Sequence, residues 1–494
     1  MNTPNPESSA RSSFSRDVFT LVKGTTIALI VSLLVSPIIT RLYGPESFGL
    51  VALFISITNL LGVIACLRYE VAILLPKSDE EAANLFGLCM VIVVLISLTT
   101  IPLLIVLKEP IVQFLKAPQL GPFIWLISPT LVITGTFLAL NYWNTRTKHY
   151  YRLSIARVTS SLSTSSIQLG FGFLGYASGS VLIGAYIFGQ LISTTVLGIQ
   201  ILRDHLFFFR HAITRKGMVE VLKRYSKFPK FEVVGSLINT LSWQVPVFLL
   251  SNFFTTTIVG YYSLGMMVVT YPMTLVGSSI SQVFFQRAAV AKHEGSLAII
   301  YENTYSFLIK ISMFPLFLLM FIGQDLFIVI FGPSWGQAGY FIQILSPWAV
   351  FLFIGSPMST ILSIEGKQQI GLVLSIINLI TRFFSIYIGG LMGSVSLSIL
   401  LFSLSGVLVY GSYGIFFMHL AGVKIMKTLK IIFVNLMVFL PAGIIMVIAK
   451  ILNLNSTVQI LLATMLLVLY GVYLIKTDAT IRDMLVSYKL LKKA

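Results

Sequence analysis

The sequence predicts an all-α integral membrane protein of about fourteen transmembrane helices, arranged as two pseudo-symmetric six-helix lobes plus two C-terminal helices. Three observations carry this. Of 494 residues, 56% are apolar and 10% charged, and mean hydropathy is +0.92; soluble domains carry about 25% charged residues. Apolar runs fill almost the whole chain, and a helix needs about 20 such residues to cross a hydrocarbon core ~30 Å thick. The runs are continuous, whereas a membrane β-barrel would show alternating segments of about 10 residues.

The elements follow in order. Met1 to Asp17 is polar and Ser-rich. Val18 to Leu42 is too long for a signal-peptide core and lacks a small-residue cleavage site, so it stays as the first helix. Charges, Gly/Pro breaks and polar clusters then bound thirteen more: 49–76, 82–107, 119–145, 152–175, 179–202, 229–252, 257–284, 301–323, 338–364, 368–392, 395–420, 429–449 and 457–475. The expected organisation is a first lobe (1–202), a basic linker (203–228), a second lobe (229–420), two further helices (421–475) and an amphipathic tail (476–494).

Basic residues orient the chain, because cytoplasmic loops are enriched in Lys and Arg. With the N-terminus inside, cytoplasmic segments hold 25 of the 34 Lys and Arg residues and outer segments hold four: Arg41, Lys108, Lys116 and Lys450. One miscounted helix midway would swap every later loop, so the asymmetry supports fourteen spans with both termini cytoplasmic. Much of the formal charge of +17 is this bias. No basic stretch belongs to a soluble binding domain, which argues against nucleic acid as a partner. The linker and tail read instead as surface helices resting on anionic membrane lipid.

An internal repeat divides the helices. Gly121-Pro-Phe-Ile-Trp-Leu-Ile-Ser-Pro129 opens the fourth and Gly339-Tyr-Phe-Ile-Gln-Ile-Leu-Ser-Pro347 the tenth, with five of nine positions identical at a spacing of 218. Helices one and seven each carry an internal proline (Pro37, Pro246), and a glycine opens the next helix (Gly49, Gly260). A six-helix unit is even, so both copies start on the same side, related by an axis along the membrane normal, as in two-lobed transporters.

Ionisable groups inside the membrane are costly and tend to face a cavity or a partner. The candidate substrate-binding residues are Arg382, Arg68, Lys310, Arg157, Lys23 and Arg41, with Glu70 as a candidate ion-coupling group. Arg382, near the middle of helix eleven, is expected to line a cavity. Arg68 and Glu70 are either functional groups within the second helix or interfacial residues if that helix ends near Leu67. Lys310 either faces a cavity or snorkels, Lys23 and Arg157 are placed to snorkel, and Arg41 contacts headgroups or an outer vestibule. Five cations lie within helices against one clearly internal acid, a balance that favours an anionic cargo such as a phosphate or pyrophosphate. All five histidines lie near cytoplasmic boundaries. Cys66 and Cys89 can build neither a disulfide framework nor a metal site. No phosphate-binding Gly-x-x-x-x-Gly-Lys-Ser/Thr loop is present, so ATP hydrolysis is not expected, and neither is a cofactor.

The stretch Ile39-Thr-Arg-Leu-Tyr-Gly-Pro-Glu-Ser-Phe-Gly-Leu50 resembles the Arg-Leu-x-Gly-Pro-x-x-Phe/Tyr-Gly signature of the polysaccharide-transport, or oligosaccharide flippase, family (Wzx-type O-antigen flippases). That family belongs to the multidrug/oligosaccharidyl-lipid/polysaccharide exporter superfamily. Val259-Gly-Tyr-Tyr262 and the 6+6+2 helix plan add to the resemblance, which covers essentially the whole chain. It implies a non-enzymatic flippase turning undecaprenyl-pyrophosphate-linked oligosaccharide from the cytoplasmic to the periplasmic leaflet of a bacterial inner membrane. The pyrophosphate would sit on the cationic residues. The resemblance admits a polysaccharide polymerase and a chain-length regulator as protein partners, and it gives Gly44, Pro45 and Gly49 a structural role in a tight outer turn. The competing expectations are an ion-coupled drug or metabolite antiporter of the same superfamily and, third, a membrane glycosyltransferase, which would want acidic residues on larger outer loops.

Overall fold

The computed structural model describes residues 6–478 and 482, with side chains placed for 24–275, 284, 285, 287–478 and 482. The side chain of Lys23 and most of the expected tail lie outside the described residues. Among the described residues every regular element is helical. The first part of the chain forms α1 (Pro6–Leu42), α2 (Pro45–Gly62), the short α3 (Tyr69–Ala72), α4 (Asp79–Leu115), α5 (Ile127–Arg146), α6 (Tyr150–Phe173), α7 (Gly179–Ala212) and α8 (Arg215–Arg224). Then come α9 (Val233–Phe253), α10 (Thr256–His293), α11 (Leu297–Phe331), α12 (Gly336–Met358), the short α13 (Ile361–Ile364), α14 (Gln368–Leu391), α15 (Val395–Leu420), α16 (Ile425–Ile451) and α17 (Ser456–Thr477).

Thirteen helices among the described residues are long and apolar enough to cross a membrane. The fourteenth expected span is α6. Its 24 residues would rise ~36 Å, but Thr159, Ser160, Ser161, Ser163, Thr164, Ser165 and Ser166 dilute its apolar character. It packs between α1 and α7.

The second expected helix, 49–76, is not one helix. It stops at Gly62, and the chain continues in turns to Leu67 and Arg68, both at positive φ (49° and 62°), before α3. A non-glycine residue in the left-handed region costs about 1 kcal/mol or more. The segment is held by its neighbours: Arg146 donates to the Ile73 and Pro76 carbonyls at 3.1 and 2.8 Å, and the Tyr69 hydroxyl donates to the Leu222 carbonyl at 2.9 Å.

The repeat is visible in local structure. The 37-residue α4 and the 35-residue α11 each end on a residue at positive φ, Lys116 and Gly332. Each is followed by a proline-led 3-10 turn, Pro118–Leu126 and Pro333–Trp335, leading into α5 or α12. Proline suits that first position because its ring fixes φ and it has no N–H to leave unsatisfied.

The helices gather into two compact units. One comprises Met1–Ser279 with Gln368–Leu401, where α1 packs on α6, α6 on α7, α4 on α5 and α9 on α14. At the α3 end its core stacks Phe86 on Phe209 (centroids 5.0 Å apart) with Trp143 edge-on to Phe209 at 4.8 Å. The expected surface linker contributes to this core. Val221 of α8 is buried there with Met218 against it, and Asn84 of α4 bonds the Ala212 carbonyl and the Thr214 N–H. Met218 and Val221 of α8 therefore pack toward α4, while Val219, Leu222, Arg215, Lys216 and Lys223 stay exposed. The other unit comprises Ile280–Lys367 with Phe402–Ala494; there α11 packs on α12, α16 and α17, with Phe314 stacked on Tyr470 at 4.0 Å.

Candidate functional site

The first unit carries a half-open, mostly apolar cavity of about 310 Å³ among α1, α2, α6, α7 and α10. Its polar lining comes from Ser32 and Ser36 of α1, Ser161, Thr164, Ser165 and Gln168 of α6, Tyr186 of α7, and Ser263 and Tyr271 of α10; Phe48, Val51 and Ile55 of α2 give an apolar wall. No charged residue is among the lining groups. Helical spacing explains the α6 contribution: residues 161, 164, 165 and 168 recur at three- and four-residue intervals and share one face.

Several of the hydroxyl hydrogens are already committed. Ser36 donates to the Leu33 carbonyl at 2.8 Å, Ser161 to the Ala28 carbonyl at 3.0 Å, and Thr164 to the Ala185 carbonyl at 3.3 Å. Such a hydroxyl keeps its lone pairs, so it faces the cavity as an acceptor. One turn along α6 from Ser161, Arg157 donates to the Thr25 hydroxyl of α1. It thus turns toward a neighbouring helix at the level where α1 carries Lys23.

The other candidate cations lie apart from this pair. Arg382 on α14 is 4% exposed. Its guanidinium donates to the Ser242 carbonyl at 3.0 Å and hydroxyl at 3.2 Å, and sits 4.1 Å over the Trp243 ring. A desolvated cation–π contact of this kind is worth about 2 kcal/mol. Arg68 pairs with Glu70 at 3.3 Å and with Glu232, at the foot of α9, at 3.6 Å. Glu70 is 1% exposed, and its Oε2 is buried with no hydrogen-bond partner among the described residues. Lys310, in the second unit, pairs with Asp478 at 2.7 Å. Arg41 is exposed at the end of α1. Among the described residues no group of His, Cys, Asp and Glu could hold a metal ion, and Cys66 and Cys89 are both buried free thiols.

The hydroxyl-lined cavity and Trp243 were not singled out in the sequence. The signal for the first was there: seven hydroxyl residues in the eight positions 159–166 of an otherwise apolar chain. Nothing in the sequence marked Trp243 as the partner of Arg382, 139 residues away.

At the other end of α2, two glycines close the unit. A methyl group on Gly49 would lie 1.8 Å from the Thr256 carbonyl oxygen, and one on Gly260 would lie 1.9 Å from the Pro45 carbonyl oxygen. An offset of 211 residues carries Pro45 onto Thr256 and Gly49 onto Gly260. The two contacts are therefore one contact seen from both repeats, as a two-fold relation between like elements requires. The same end is tied by Ser251 to the Leu115 carbonyl and Asn252 to the Phe114 carbonyl.

The sequence pattern of a polysaccharide biosynthesis protein family matches residues 38–339, which include α2, α6, α7 and the whole of α10 but only the last turn of α1. The chain belongs to that family. No curated protein sequence is similar enough to the chain to match it. Among solved structures, this polysaccharide biosynthesis protein is similar to a lipid II flippase, MurJ, in an inward closed conformation: 14% identity, 94% of this chain and 98% of that one covered, TM-score 0.70. It is also similar to an inward-facing multidrug resistance MATE family transporter of the MOP superfamily, at 14% identity with 83% and 95% covered and a TM-score of 0.57. A MOP superfamily transporter from Pyrococcus furiosus, described as having a binding pocket of reversed polarity, matches at 15% identity, 82% and 95% coverage and a TM-score of 0.53. The polysaccharide biosynthesis protein thus has the fold of this superfamily, as the 6+6+2 reading expected.

Proposed function

We propose that the chain is a flippase that turns undecaprenyl-pyrophosphate-linked oligosaccharide from the cytoplasmic to the periplasmic leaflet of a bacterial inner membrane by alternating access. The observation that carries this reading is a polysaccharide biosynthesis protein made almost wholly of membrane-crossing helices. No connection between its described helical segments exceeds six residues, which leaves no sizeable surface for sugar-transfer chemistry. The inward-turned Arg157, with Lys23 at the same level, is the proposed pyrophosphate contact, since a guanidinium matches phosphate oxygens in charge and geometry. Arg382, Arg68, Lys310 and Arg41 remain proposed cationic contacts on the path. Both termini are proposed to be cytoplasmic, and a polysaccharide polymerase and chain-length regulator are proposed partners. Rocking of the two repeats about the Gly49–Gly260 crossing would alternate access.

The second reading, an ion-coupled drug or metabolite antiporter, is favoured by one observation, the buried and half-partnered Glu70 carboxylate. Deletion in a glycan-producing bacterium separates the two. Loss of surface polysaccharide, with lipid-linked units trapped on the cytoplasmic side, supports the flippase. Normal glycan export with lost efflux of cationic compounds supports the antiporter. Sugar transfer by the purified protein would refute both.

A further inference from the structure

The helix α7 is longer than a bilayer requires. Its 34 residues rise ~51 Å, against ~30 Å for the hydrocarbon core and ~40–45 Å with both headgroup layers. With Gly179 at one surface, the opposite headgroups are reached near Arg203, and the last turns stand at or beyond them. These turns have two faces. His205, Phe208 and Phe209 lie inward, their rings 5.7, 6.5 and 4.8 Å from that of Trp143 on α5, so this end of the helix is fixed to the core. On the other face, Leu202, Arg203, Leu206, Phe207, Arg210 and His211 recur at helical spacing and are all exposed, Phe207 to 79%. They continue a stripe that begins with the exposed Ile199.

Water suits the arginines of this face but not an exposed phenylalanine beside two exposed leucines. A nucleic acid or an acidic protein would suit the charge, yet the apolar side chains lead straight on from a membrane-crossing stretch. A bilayer surface suits both, with apolar groups in the acyl boundary and guanidinium groups on phosphate. The sign selects the lipid. Asp204, the only acid in α7, is bonded to Arg152 of α6, which leaves Arg203 and Arg210 no free carboxylate on their own helix. A zwitterionic lipid brings its own cation beside the phosphate, so net charge decides. On α8, by contrast, Glu220 stands within one turn of Lys216 and Lys223, and Arg224 is paired with Glu81 at 2.9 Å.

We propose that the end of α7 is a docking surface for anionic phospholipid. Leu206 and Phe207 enter the acyl boundary, and Arg203 and Arg210, ~10 Å apart along the helix, take the phosphodiester groups. The lipid contact expected of the whole basic linker thus narrows to two turns of α7. It is independent of the cargo and of the flippase reading.

The test uses the full chain with photoreactive p-benzoylphenylalanine in place of Phe207, in vesicles of equal parts phosphatidylglycerol and phosphatidylcholine. Illumination should attach phosphatidylglycerol at least ~10-fold more often than phosphatidylcholine, and the preference should shrink at high salt. Arg210→Gln should cut the preference about 5-fold, the equivalent of ~1 kcal/mol for one cation near the surface. Arg203→Gln with Arg210→Gln should bring it toward one. Arg215→Gln with Lys216→Gln removes as much charge from α8 and should leave it unchanged. If the α7 double variant fails to fold, the single variant and the unsubstituted arginines still decide the matter. Equal labelling by the two lipids overturns the anionic-lipid assignment. Labelling of no lipid puts Phe207 in water or on another macromolecule and overturns the surface altogether. A loss from the α8 pair as large as that from the α7 pair makes the preference a general effect of positive charge and overturns the site.

Discussion

Gly49 and Gly260 meet at a crossing of α2 and α10 in which each helix passes so near the other's backbone that a methyl group would lie within 2 Å of a carbonyl oxygen. Backbone cannot swing aside as the end of a long side chain can. Gly49→Ala or Gly260→Ala should therefore force the helices apart, costing about 1–3 kcal/mol, the usual range for overpacking. Once one has opened the crossing the second should add little, a departure from additivity expected of residues in contact. Gly44→Ala is the control: its φ is −73° and a methyl there would meet nothing within 4 Å. Thermal unfolding of the four variants checks this, and a Gly49→Ala as stable as Gly44→Ala would contradict it.

Arg382 and Trp243 make a second prediction. Trp243→Phe weakens the ring contact and leaves the guanidinium on Ser242, so stability should fall by roughly 1 kcal/mol with transport retained. Arg382→Ala should lose both contacts, about 2–4 kcal/mol, and abolish export at a temperature where the protein is still folded. If Arg382→Ala exports normally while its melting temperature drops, the residue only holds α14 to α9.

Lys310 and Asp478 are 2.7 Å apart, with side chains 31% and 14% exposed. A partly exposed pair is worth on the order of 1 kcal/mol or less. Lys310→Ala and Asp478→Ala should each lower stability by about that amount, and the exchanged pair Lys310→Asp with Asp478→Lys should recover part of it. Transport by the exchanged pair would show that the lysine serves α17 rather than the cargo; loss of transport with recovered stability would place it on the path.

Between α5 and α6, burial, followed by the nearby Arg152 and His205, lowers the His149 pKa below its ordinary value near 6.5. The group contributes stability at higher pH that is lost on acidification. The His149 contribution is complete above about 6.5 and falls away as pH drops through its lower folded value. Over pH 7.5 to 5, then, the melting temperature should decline less in His149→Gln than in wild type. Equal slopes in wild type and His149→Gln would contradict the assignment.

Thirteen of the fourteen expected spans were legible because the bilayer imposes one length on every crossing. The repeat was legible because Gly121–Pro129 and Gly339–Pro347 share a local task, restarting a helix after a proline-led turn. The break after Gly62 was legible only as an alternative: Arg68 and Glu70 allowed the second helix to end near Leu67, but the turn uses Leu67 and Arg68 at positive φ without a glycine to mark it. Charges misled in a different way. Counting them in helices suggested one cationic lining, but a count carries no direction. Arg382 turns to Trp243, Lys310 to Asp478, Arg68 to Glu70 and Glu232, and Arg157 to Thr25.

The hydroxyl run in α6 has a consequence for how the chain is made. A helix this polar gains too little from lipid to enter a bilayer reliably by itself, while its packing against α1 and α7 covers most of the hydroxyls at least in part, Ser166 excepted. Biogenesis should therefore hold α6 at the translocation machinery until α7 emerges, so that the two partition together against α1. Nascent chains ending near residue 178 should leave α6 accessible to water-borne reagents, and chains extended past Ala212 should protect it.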